Sequence, residues 1–305
     1  MPAAHASRRK VLGLGLAALL AGCQTPPPVP VVIPTRPVEP PPPPPPPKPP
    51  KIGLALGGGA ARGFAHIGVI QALETAGVRP DLVVGTSAGS LVAALWASGR
   101  SGQDLAGLAQ SMDESALTDW AFPGRGLIRG EALARYVREQ TGGRSIEQMP
   151  IPLGIVACDL DSGQPILFQR GDTGSAVRAS SAVPAVFQPV RIGSREYVDG
   201  GLVSPVPVRF ARQMGAELVI AVDISSVPDG NATGDPFKIL LQTFAIMGRS
   251  INQFELRDAD VVVRPALNGV SGADFSARSR AIQAGRVAGT QAIGTLRARL
   301  AALSH

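Results

Sequence analysis

The residues best suited to chemistry lie in one short run, Gly85-Thr86-Ser87-Ala88-Gly89, which has the spacing G-x-S-x-G. A strand-like segment precedes the run and a helix-like segment follows it, which is the setting of a nucleophilic serine on a tight turn. Gly85 and Gly89 would let the strand and helix approach closely, and the first N–H groups of the helix would stabilise an oxyanion near Ser87. An ordinary glycine- and serine-rich join between a strand and a helix is the alternative.

A second glycine-rich run, Gly57-Gly58-Gly59, ends another strand-like segment, and Arg62 and Gly63 then open a helix. Such glycines expose N–H groups to an anion, either a dinucleotide pyrophosphate or the oxyanion of acyl transfer. The run does not match G-x-G-x-x-G and lacks the G-K-[ST] of a P-loop, so we favour an oxyanion hole. Arg62 would balance charge beside this loop or, equally, form a surface ion pair.

A general base for Ser87 is not obvious, because the chain has only three histidines, at positions 5, 66 and 305. The first falls in an N-terminal targeting segment and the last is the terminal residue. His66 follows the glycine run on a predicted helix, where packing or a loop hydrogen bond is its expected role. A Ser-His-Asp triad is therefore not expected, and the remaining candidates are carboxylates at strand ends: Asp159, Asp199 and Asp223.

Asp199 is followed by Gly200 and Gly201, which would let the backbone turn away and leave the carboxylate facing a cleft. A plain Asp-Gly turn is the alternative. With an ordinary pKa of about 3.9, an aspartate is a weak base in water. Against a serine hydroxyl in a dry site it accepts the proton as attack proceeds. On the residues alone, the choice among the three carboxylates stays open.

The elements that must position these residues follow from apolar runs that alternate with helical patterns. Strands are predicted in the segments KIGLALGG, DLVVGTS, IPLGIVACD, ELVIAVDI and DADVVVRP, and helices over 61–76, 88–98, 103–112, 130–141, 206–214, 236–257 and 277–303. In the last helix, the spacing of Ile293, Leu296, Leu300 and Leu303 predicts packing on the core. The alternation predicts an α/β domain with a mostly parallel central sheet flanked by helices.

The N-terminal fifty residues differ in kind from the rest. Residues 1–22 join a basic start to an apolar stretch too short to span a bilayer, which predicts a signal peptide. The end of this segment is similar to a bacterial lipobox and predicts lipidation of Cys23. The proline-rich segment 23–50 predicts an extended tether, and 51–305 a globular domain. Gln24 is not the aspartate of inner-membrane retention. In a two-membrane bacterium this predicts the outer membrane, with the domain facing the periplasm; Sec or Tat export stays open.

Composition excludes several classes of function. The net charge of +6 includes three cations of the predicted signal peptide, so the remainder carries +3. No Lys/Arg-rich run suggests nucleic acid, whereas a mild positive excess suits an anionic membrane surface. No cluster has metal-ligand spacing, and neither metal nor cofactor is expected. Once Cys23 is lipidated only Cys158 remains, so no intramolecular disulfide is expected and Cys158 is predicted in the core.

Four motifs, in order, resemble those of the bacterial patatin-like phospholipases, here in a lipoprotein form: GGGAARG, GTSAG, RASSAVPAVFQPV (178–190) and DGG. The resemblance implies a three-layer α/β patatin-like fold, Ser87 as nucleophile, Asp199 as base and the Gly57–Gly59 amides as oxyanion hole. Ala60 departs from the plant-type glycine run, so the choice of N–H donors stays open. Asp159 and Asp223 then take structural roles.

The implied activity is that of a serine acyl hydrolase acting on fatty-acyl esters of phospholipids or lysophospholipids at a membrane. The expected partners are a lipid substrate and a membrane surface, without nucleic acid or metal, and the sequence does not predict an oligomeric state. A non-catalytic envelope lipoprotein that binds lipid in the same pocket is the alternative.

Overall fold

The computed structural model describes residues 49–113, 119, 125–226 and 235–303. These residues belong to one compact unit, Pro47–His305. The predicted signal peptide, the lipidation site at Cys23 and nearly all of the predicted tether lie outside the described residues. Among the helices that are described, none is long and apolar enough to cross a membrane.

The central sheet is mostly parallel and has an antiparallel edge. The strands are β1 (Ile52–Leu56), β2 (Leu82–Thr86), β3 (Gly126–Ile128), β4 (Leu153–Asp159), β5 (Pro165–Phe168), β6 (Ala185–Phe187), β7 (Val190–Ile192), β8 (Arg195–Asp199), β9 (Leu218–Val222) and β10 (Val261–Val263). The order is β10-β9-β1-β2-β4-β8-β7, with β5 also paired to β4, while β3 and β6 form a separate two-stranded sheet. Pairing is parallel from β10 to β4 and antiparallel for β5, β7 and β8.

Helices cover both faces of this sheet. They are α1 (Phe64–Thr75), α2 (Ala88–Ala97), α3 (Gly102–Ser111), α4 (Glu131–Gln140), α5 (Thr173–Ser180), α6 (Val208–Gln213), α7 (Pro236–Glu255) and α8 (Arg278–Leu303). On one face, Leu54 and Ile220 of the strands pack with residues of α1, α2 and α8. On the other face, Ala55 and Val84 pack with residues of α6.

The strand sequences explain why the sheet is buried on both sides. In β1 (IGLAL) and β9 (LVIAV) every residue is buried. Side chains alternate between the two faces of a strand, so a continuous apolar run is stable only where helices cover both faces. The three-layer α/β arrangement with a mostly parallel central sheet is therefore confirmed.

Several details differ from the sequence prediction. Helix α5 and strands β3 and β5 to β8 were not predicted, because they span only three to eight residues and none of them is buried throughout. A 3-10 turn over Ala60–Gly63 replaces the first turn of the helix predicted from 61. Leu296 is buried as expected, but Leu303, expected on the core, is exposed at the C-terminal end of α8.

Candidate active site

The strand register brings the ends of β2 and β8 to one level of the sheet. Thr86 of β2 pairs with Val156 of β4, and Asp199 of β8 pairs with Ala157, the next residue of β4. Ser87 directly follows Thr86, so it lies at the level of Asp199 with only β4 between them. Because β8 runs antiparallel to β4, its last residue comes back to the edge where the parallel strand β2 ends.

Ser87 and Asp199 are in direct contact at this edge. The Ser87 hydroxyl donates a hydrogen bond of 2.7 Å from Oγ to Oδ2 of Asp199. The other carboxylate oxygen, Oδ1, accepts a hydrogen bond of 2.7 Å from the N–H of Gly201. The backbone thus fixes Oδ1, and Oδ2 faces the hydroxyl. A serine hydroxyl within hydrogen-bond distance of a carboxylate is the geometry that proton transfer to a base requires.

Ser87 lies on a strained turn between β2 and α2. Its φ of 52° and ψ of −124° lie outside the regions that L-residues ordinarily occupy, and such strain persists only where the surroundings enforce it. Close approach of the strand and the helix enforces it here. A Cβ at Gly85 would lie 2.4 Å from the Gly89 carbonyl oxygen, and one at Gly89 would lie 2.1 Å from that of Leu56. Both predicted supporting glycines therefore allow contacts that any side chain would block.

Two other predicted supporting glycines lie at similar close approaches. A Cβ at Gly63 would lie 2.8 Å from the Cβ of Ala88, where the helix that follows the glycine run meets the turn of Ser87. A Cβ at Gly200 would lie 2.2 Å from the Val156 carbonyl oxygen. These contacts hold the glycine run and the Asp199 turn against the strand edge that carries Ser87.

The glycine run lies beside Ser87, but two of its N–H groups are not free to bind an oxyanion as predicted. A Cβ built at Gly58 would lie 3.2 Å from the Cβ of Ser87. The Gly57 N–H donates to the Val222 carbonyl (3.1 Å) and the Gly58 N–H to the Pro205 carbonyl (2.9 Å). Both N–H groups are therefore already engaged, and the prediction that they bind an oxyanion is corrected.

The free donors are the next two along the chain. Within the part of the chain that the structure describes, no acceptor faces the N–H of Gly59 or that of Ala60. Ala60 adopts a positive φ of 49°, a conformation that costs an alanine roughly 1 kcal/mol. Both residues line the same cavity as Ser87. Unpaired backbone N–H groups at such a turn are suited to bind an oxyanion.

The environment of Asp199 raises its basicity. Burial raises the pKa of Asp199 from 3.8 to about 6, against the opposing effect of the hydrogen bonds from Ser87 and Gly201. No Lys or Arg forms an ion pair with it among the described residues, so the two hydrogen bonds offset the desolvation of the charged form only in part. An aspartate with this pKa is ionised at neutral pH and is a stronger base than an exposed one.

Ser180 is a site residue that the sequence analysis did not single out. Its Oγ accepts a hydrogen bond of 2.8 Å from the Ser87 N–H and donates one of 2.6 Å to the Val156 carbonyl. The side chain is fully buried at the end of α5. It lies within the segment 178–190 that carries the family resemblance, yet nothing in the spacing distinguishes it from Ser181. Only the packing of α5 against β4 reveals its role.

His66 is fully buried in the first turn of α1 and does not line the cavity. Its Nε2 is 2.7 Å from the Gly57 carbonyl oxygen, and its Nδ1 has no partner among the described residues. Burial lowers the pKa of His66 to about 4, so the ring is neutral at pH 7 and Nε2–H is the donor to Gly57. His66 thus holds the glycine run, in the loop-bonding role expected of it.

Arg62 faces the cavity that contains Ser87 and Asp199. Burial lowers the pKa of Arg62, with a smaller opposing effect of Asp223, and Nε has no hydrogen-bond partner in the described structure. No carboxylate lies within ion-pair distance among the described residues, which favours a charge-balancing role over a surface ion pair. The cavity has a volume of about 290 Å³, and α7 contributes an apolar wall of Leu241, Phe244, Ala245 and Met247.

The other candidate carboxylates hold the structure around the site. Asp159 forms a 2.6 Å ion pair with Arg195, which holds the pKa of Asp159 at about 2. Asp223 pairs with Arg264. Cys158 is a buried free thiol. Among the described residues no group of His, Cys, Asp and Glu side chains is arranged to hold a metal ion.

Comparison with known proteins finds one matching family model and several related proteins. The family model described as patatin-like phospholipase matches residues 54–212. An uncharacterized NTE family protein of Mycobacterium tuberculosis is 39% identical over 185 residues, which are 60% of this chain and 51% of that protein. Patatin-like phospholipase domain-containing protein 6 of Mus musculus is 35% identical over 183 residues, 57% of this chain and 14% of that one. The chain thus spans about half the length of the mycobacterial relative, and less of the mouse protein.

A solved structure shares the fold. The crystal structure of VipD from Legionella pneumophila aligns with a TM-score of 0.56 at 14% identity, over 81% of this chain and 67% of that one. The matched family region contains the glycine run, the Ser87 turn and Asp199, and it covers more than half of the chain. This chain therefore belongs to the patatin-like phospholipase family.

Proposed function

We propose that this protein is a serine acyl hydrolase that cleaves fatty-acyl esters of phospholipids or lysophospholipids at a membrane. The observation that carries the proposal is the 2.7 Å hydrogen bond from Ser87 Oγ to Asp199 Oδ2. The carboxylate has a pKa raised to about 6 by burial. A hydroxyl and a basic carboxylate in contact beside a cavity are what acyl transfer without histidine requires.

The reaction proceeds in two halves. Ser87 Oγ attacks the ester carbonyl carbon while its proton passes to Asp199 Oδ2, and a tetrahedral oxyanion forms. Collapse of this intermediate breaks the bond to the alcohol, which takes the proton from Asp199 and leaves an acyl group on Ser87. A water molecule then gives a proton to Asp199 and attacks the acyl carbon. The bond from this carbon to Ser87 Oγ breaks, the fatty acid is released, and Asp199 returns the proton to Oγ, which restores the hydroxyl and the carboxylate.

The oxyanion is stabilised by donors that need no rearrangement. The N–H groups of Gly59 and Ala60 bind the negative oxygen, and the Arg62 guanidinium supplies positive charge at the same cavity. Donors fixed before the reaction lower the barrier most effectively where water is excluded. Ser180 holds the Ser87 backbone, so that the nucleophile keeps its orientation through both halves.

The proposed substrate class follows from the cavity and from the relatives. The α7 side of the cavity is apolar, which suits an acyl chain, and the mouse relative is named a phospholipase domain-containing protein. We also propose that residues 1–22 direct export and that Cys23 is lipidated. Residues 23–50 would then tether domain 51–305 to the outer membrane, facing the periplasm.

Hydrolysis assays test the proposed function. The protein is assayed against a panel of diacyl phospholipids, lysophospholipids and short nitrophenyl esters. We expect free fatty acid as product, and Ser87→Ala to reduce turnover on the order of a thousandfold or more. Ser98→Ala, a serine at the far end of α2, is the matched control and should keep full activity. Lipid binding without fatty acid release by the wild type would favour the non-catalytic lipoprotein instead.

A further inference from the structure

Helix α7 carries most of the large hydrophobic side chains that are exposed in the described part of the chain. Seven of the eleven large hydrophobic side chains that are exposed belong to this one helix: Phe237, Ile239, Leu240, Leu241, Ile246, Met247 and Phe254. Ile239 and Ile246 are each 50% exposed, and Phe254 is 65% exposed. Soluble surfaces seldom gather apolar side chains in one patch without a partner for them.

Five of these seven residues form a ridge along the side of α7 that faces away from the protein: Ile239, Leu240, Ile246, Met247 and Phe254. Ile239 and Ile246 are seven residues apart and therefore point the same way, two turns from each other. The buried residues of the helix, Asn252 and Glu255, lie on the opposite side. Phe237 and Leu241 also lie on that opposite side, so the continuous outer face consists of the other five apolar residues.

Only the C-terminal third of α7 is held by buried polar contacts. Asn252 accepts from the Val206 N–H at 3.1 Å and donates to the Ser225 hydroxyl at 2.8 Å. Glu255 accepts from the Ser204 hydroxyl at 2.8 Å and pairs with Arg209. From Pro236 to Leu241 every residue is exposed. The helix therefore projects its first turns outward from a fixed base.

The same helix borders the candidate active site. Leu241, Phe244 and Met247 line the cavity that contains Ser87 and Asp199. The inner side of α7 thus faces the cavity, and Met247 lies where this side meets the ridge on the outer face. A surface that covered the ridge would lie next to the entrance of the cavity.

The charges beside the ridge identify what covers it. Pro236–Phe254 contains no Asp or Glu, and its two cations, Lys238 and Arg249, are eleven residues apart. That spacing is three turns, so both cations follow one flank of the ridge, on the side where Arg249 also borders the cavity. Arg257 adds a third cation, 5.0 Å from the centre of the Phe254 ring. Apolar side chains flanked by cations match the boundary between anionic headgroups and acyl chains, whereas a second copy of the helix would bring cations against cations.

We propose that α7 docks the protein on an anionic lipid bilayer, with its outer face in the boundary between headgroups and acyl chains. Ile239, Ile246 and Phe254 enter that boundary, and Lys238 and Arg249 contact lipid phosphates. The entrance of the cavity then faces the membrane, and an acyl chain reaches Ser87 along the inner side of α7. This docking role deepens the proposed function and rests on it for the identity of the substrate.

A fluorophore on α7 tests docking without reference to catalysis. The protein is the full chain with Cys23→Ser, which removes the predicted lipid anchor. An environment-sensitive dye is attached at Ser250→Cys on the outer face of α7. Cys158 is buried, so the dye reacts with the new cysteine. The probe is a vesicle of equal parts phosphatidylethanolamine and phosphatidylglycerol. We expect the emission to shift to the blue on mixing and to be quenched by a lipid-borne quencher. The same dye at the exposed Gln103→Cys on α3 should not respond.

Two outcomes of this test would overturn the proposal. An unchanged emission at Ser250→Cys in the presence of vesicles means that α7 does not enter the bilayer. A blue shift that appears without lipid and grows with protein concentration means that the ridge is an interface between copies of the chain. The apolar residues of α7 are unchanged in this protein, so neither outcome depends on whether a variant of the ridge folds.

A kinetic comparison tests the link between docking and lipid hydrolysis. Ile239→Ser/Ile246→Ser removes apolar surface from the ridge without touching the cavity, and Leu160→Ser/Val287→Ser removes comparable exposed surface elsewhere. We expect the first pair to raise the apparent KM for vesicle phospholipid about tenfold or more and to leave kcat/KM for a soluble ester unchanged. The control pair should change neither. Equal effects of both pairs would contradict docking through α7. If neither the wild type nor the variants hydrolyse lipid, the proposed function is refuted, and the dye measurement alone decides docking.

Discussion

At the scale of single residues, Asp199 decides how the site responds to pH. Its pKa is raised to about 6 because burial disfavours the charged form, and the ionised form is the base. We expect kcat/KM for a soluble ester to rise with pH through an inflection near 6 and to level off above it. Steady-state kinetics from pH 4 to 9 measure this. An inflection near the ordinary pKa of an aspartate would contradict the buried, unpaired carboxylate.

The same carboxylate lowers the stability of the folded protein above pH 6. A raised pKa in the folded state means that the fold favours the protonated form, so stability is lost as pH rises from 3.8 through about 6. Asp199→Asn cannot ionise and should be more stable than wild type at pH 8 by up to about 3 kcal/mol. Denaturant unfolding at pH 8 and pH 4 measures the difference, which should shrink at pH 4. A destabilised variant at pH 8 would refute this.

Ser180 tests the positioning of the nucleophile. Ser180→Ala leaves the buried N–H of Ser87 without its acceptor, which should cost about 1 to 3 kcal/mol of stability and reduce kcat about tenfold or more. Because the side chain does not line the cavity, KM should change little. Ser181→Ala is the neighbouring control, since the Ser181 hydroxyl has no partner within the described structure. Loss of activity through KM alone would show that Ser180 acts on substrate binding and not on Ser87.

The sequence predicts which residues form the candidate site better than it predicts which of their backbone N–H groups are free to bind an oxyanion. Ser87 and Asp199 are predicted from motif spacing, the lack of a suitable histidine and the family resemblance, and the structure brings the two side chains into contact. The choice of oxyanion donors is wrong for Gly57 and Gly58 because their N–H groups bond to the carbonyls of Val222 and Pro205. Those acceptors lie far away in the sequence, so only the folded chain reveals which amides remain free.

At the scale of elements, the contact between α1 and α8 depends on small residues. A Cβ at Gly285 of α8 would lie 1.9 Å from the carbonyl oxygen of Ala65 on α1, whereas one at Gly294 would meet nothing within 4 Å. Gly285→Ala should force the helices apart and cost about 2 kcal/mol or more. Gly294→Ala, on the same helix, should be neutral or stabilise by up to about 1 kcal/mol. Thermal unfolding of both proteins measures this, and equal melting temperatures would contradict the close packing.

Elements were predictable where the apolar pattern is long and continuous. The five parallel strands and the long helices meet that condition. Strand β8 (REYVD) does not, because its first residues are exposed or half-buried and its pairing with β4 is fixed by tertiary contacts. Since β8 carries Asp199, the sequence predicts the residue but not the antiparallel return that brings it to Ser87.

At the scale of the whole molecule, the site and α7 suit a protein that works at a lipid surface. The cavity with Ser87 and Asp199 is bordered by the helix whose exposed apolar ridge lies beside Lys238 and Arg249. The sequence predicts the helix over 236–257, yet not that its outer face is left uncovered, which depends on how few elements pack against it. The proposed lipid anchor at Cys23 and docking through α7 would act together, since the tether holds the domain near the membrane and α7 orients it.

The central claim is that Ser87 is a nucleophile activated by Asp199, and covalent labelling tests it most directly. The protein is treated with a fluorophosphonate, digested and analysed by mass spectrometry, and labelling rates are compared for wild type, Ser87→Ala and Asp199→Asn. We predict one adduct, on the peptide containing Ser87, no adduct in Ser87→Ala and labelling slowed about a hundredfold or more in Asp199→Asn. An adduct on another residue, or labelling of Asp199→Asn at the wild-type rate, would contradict the account.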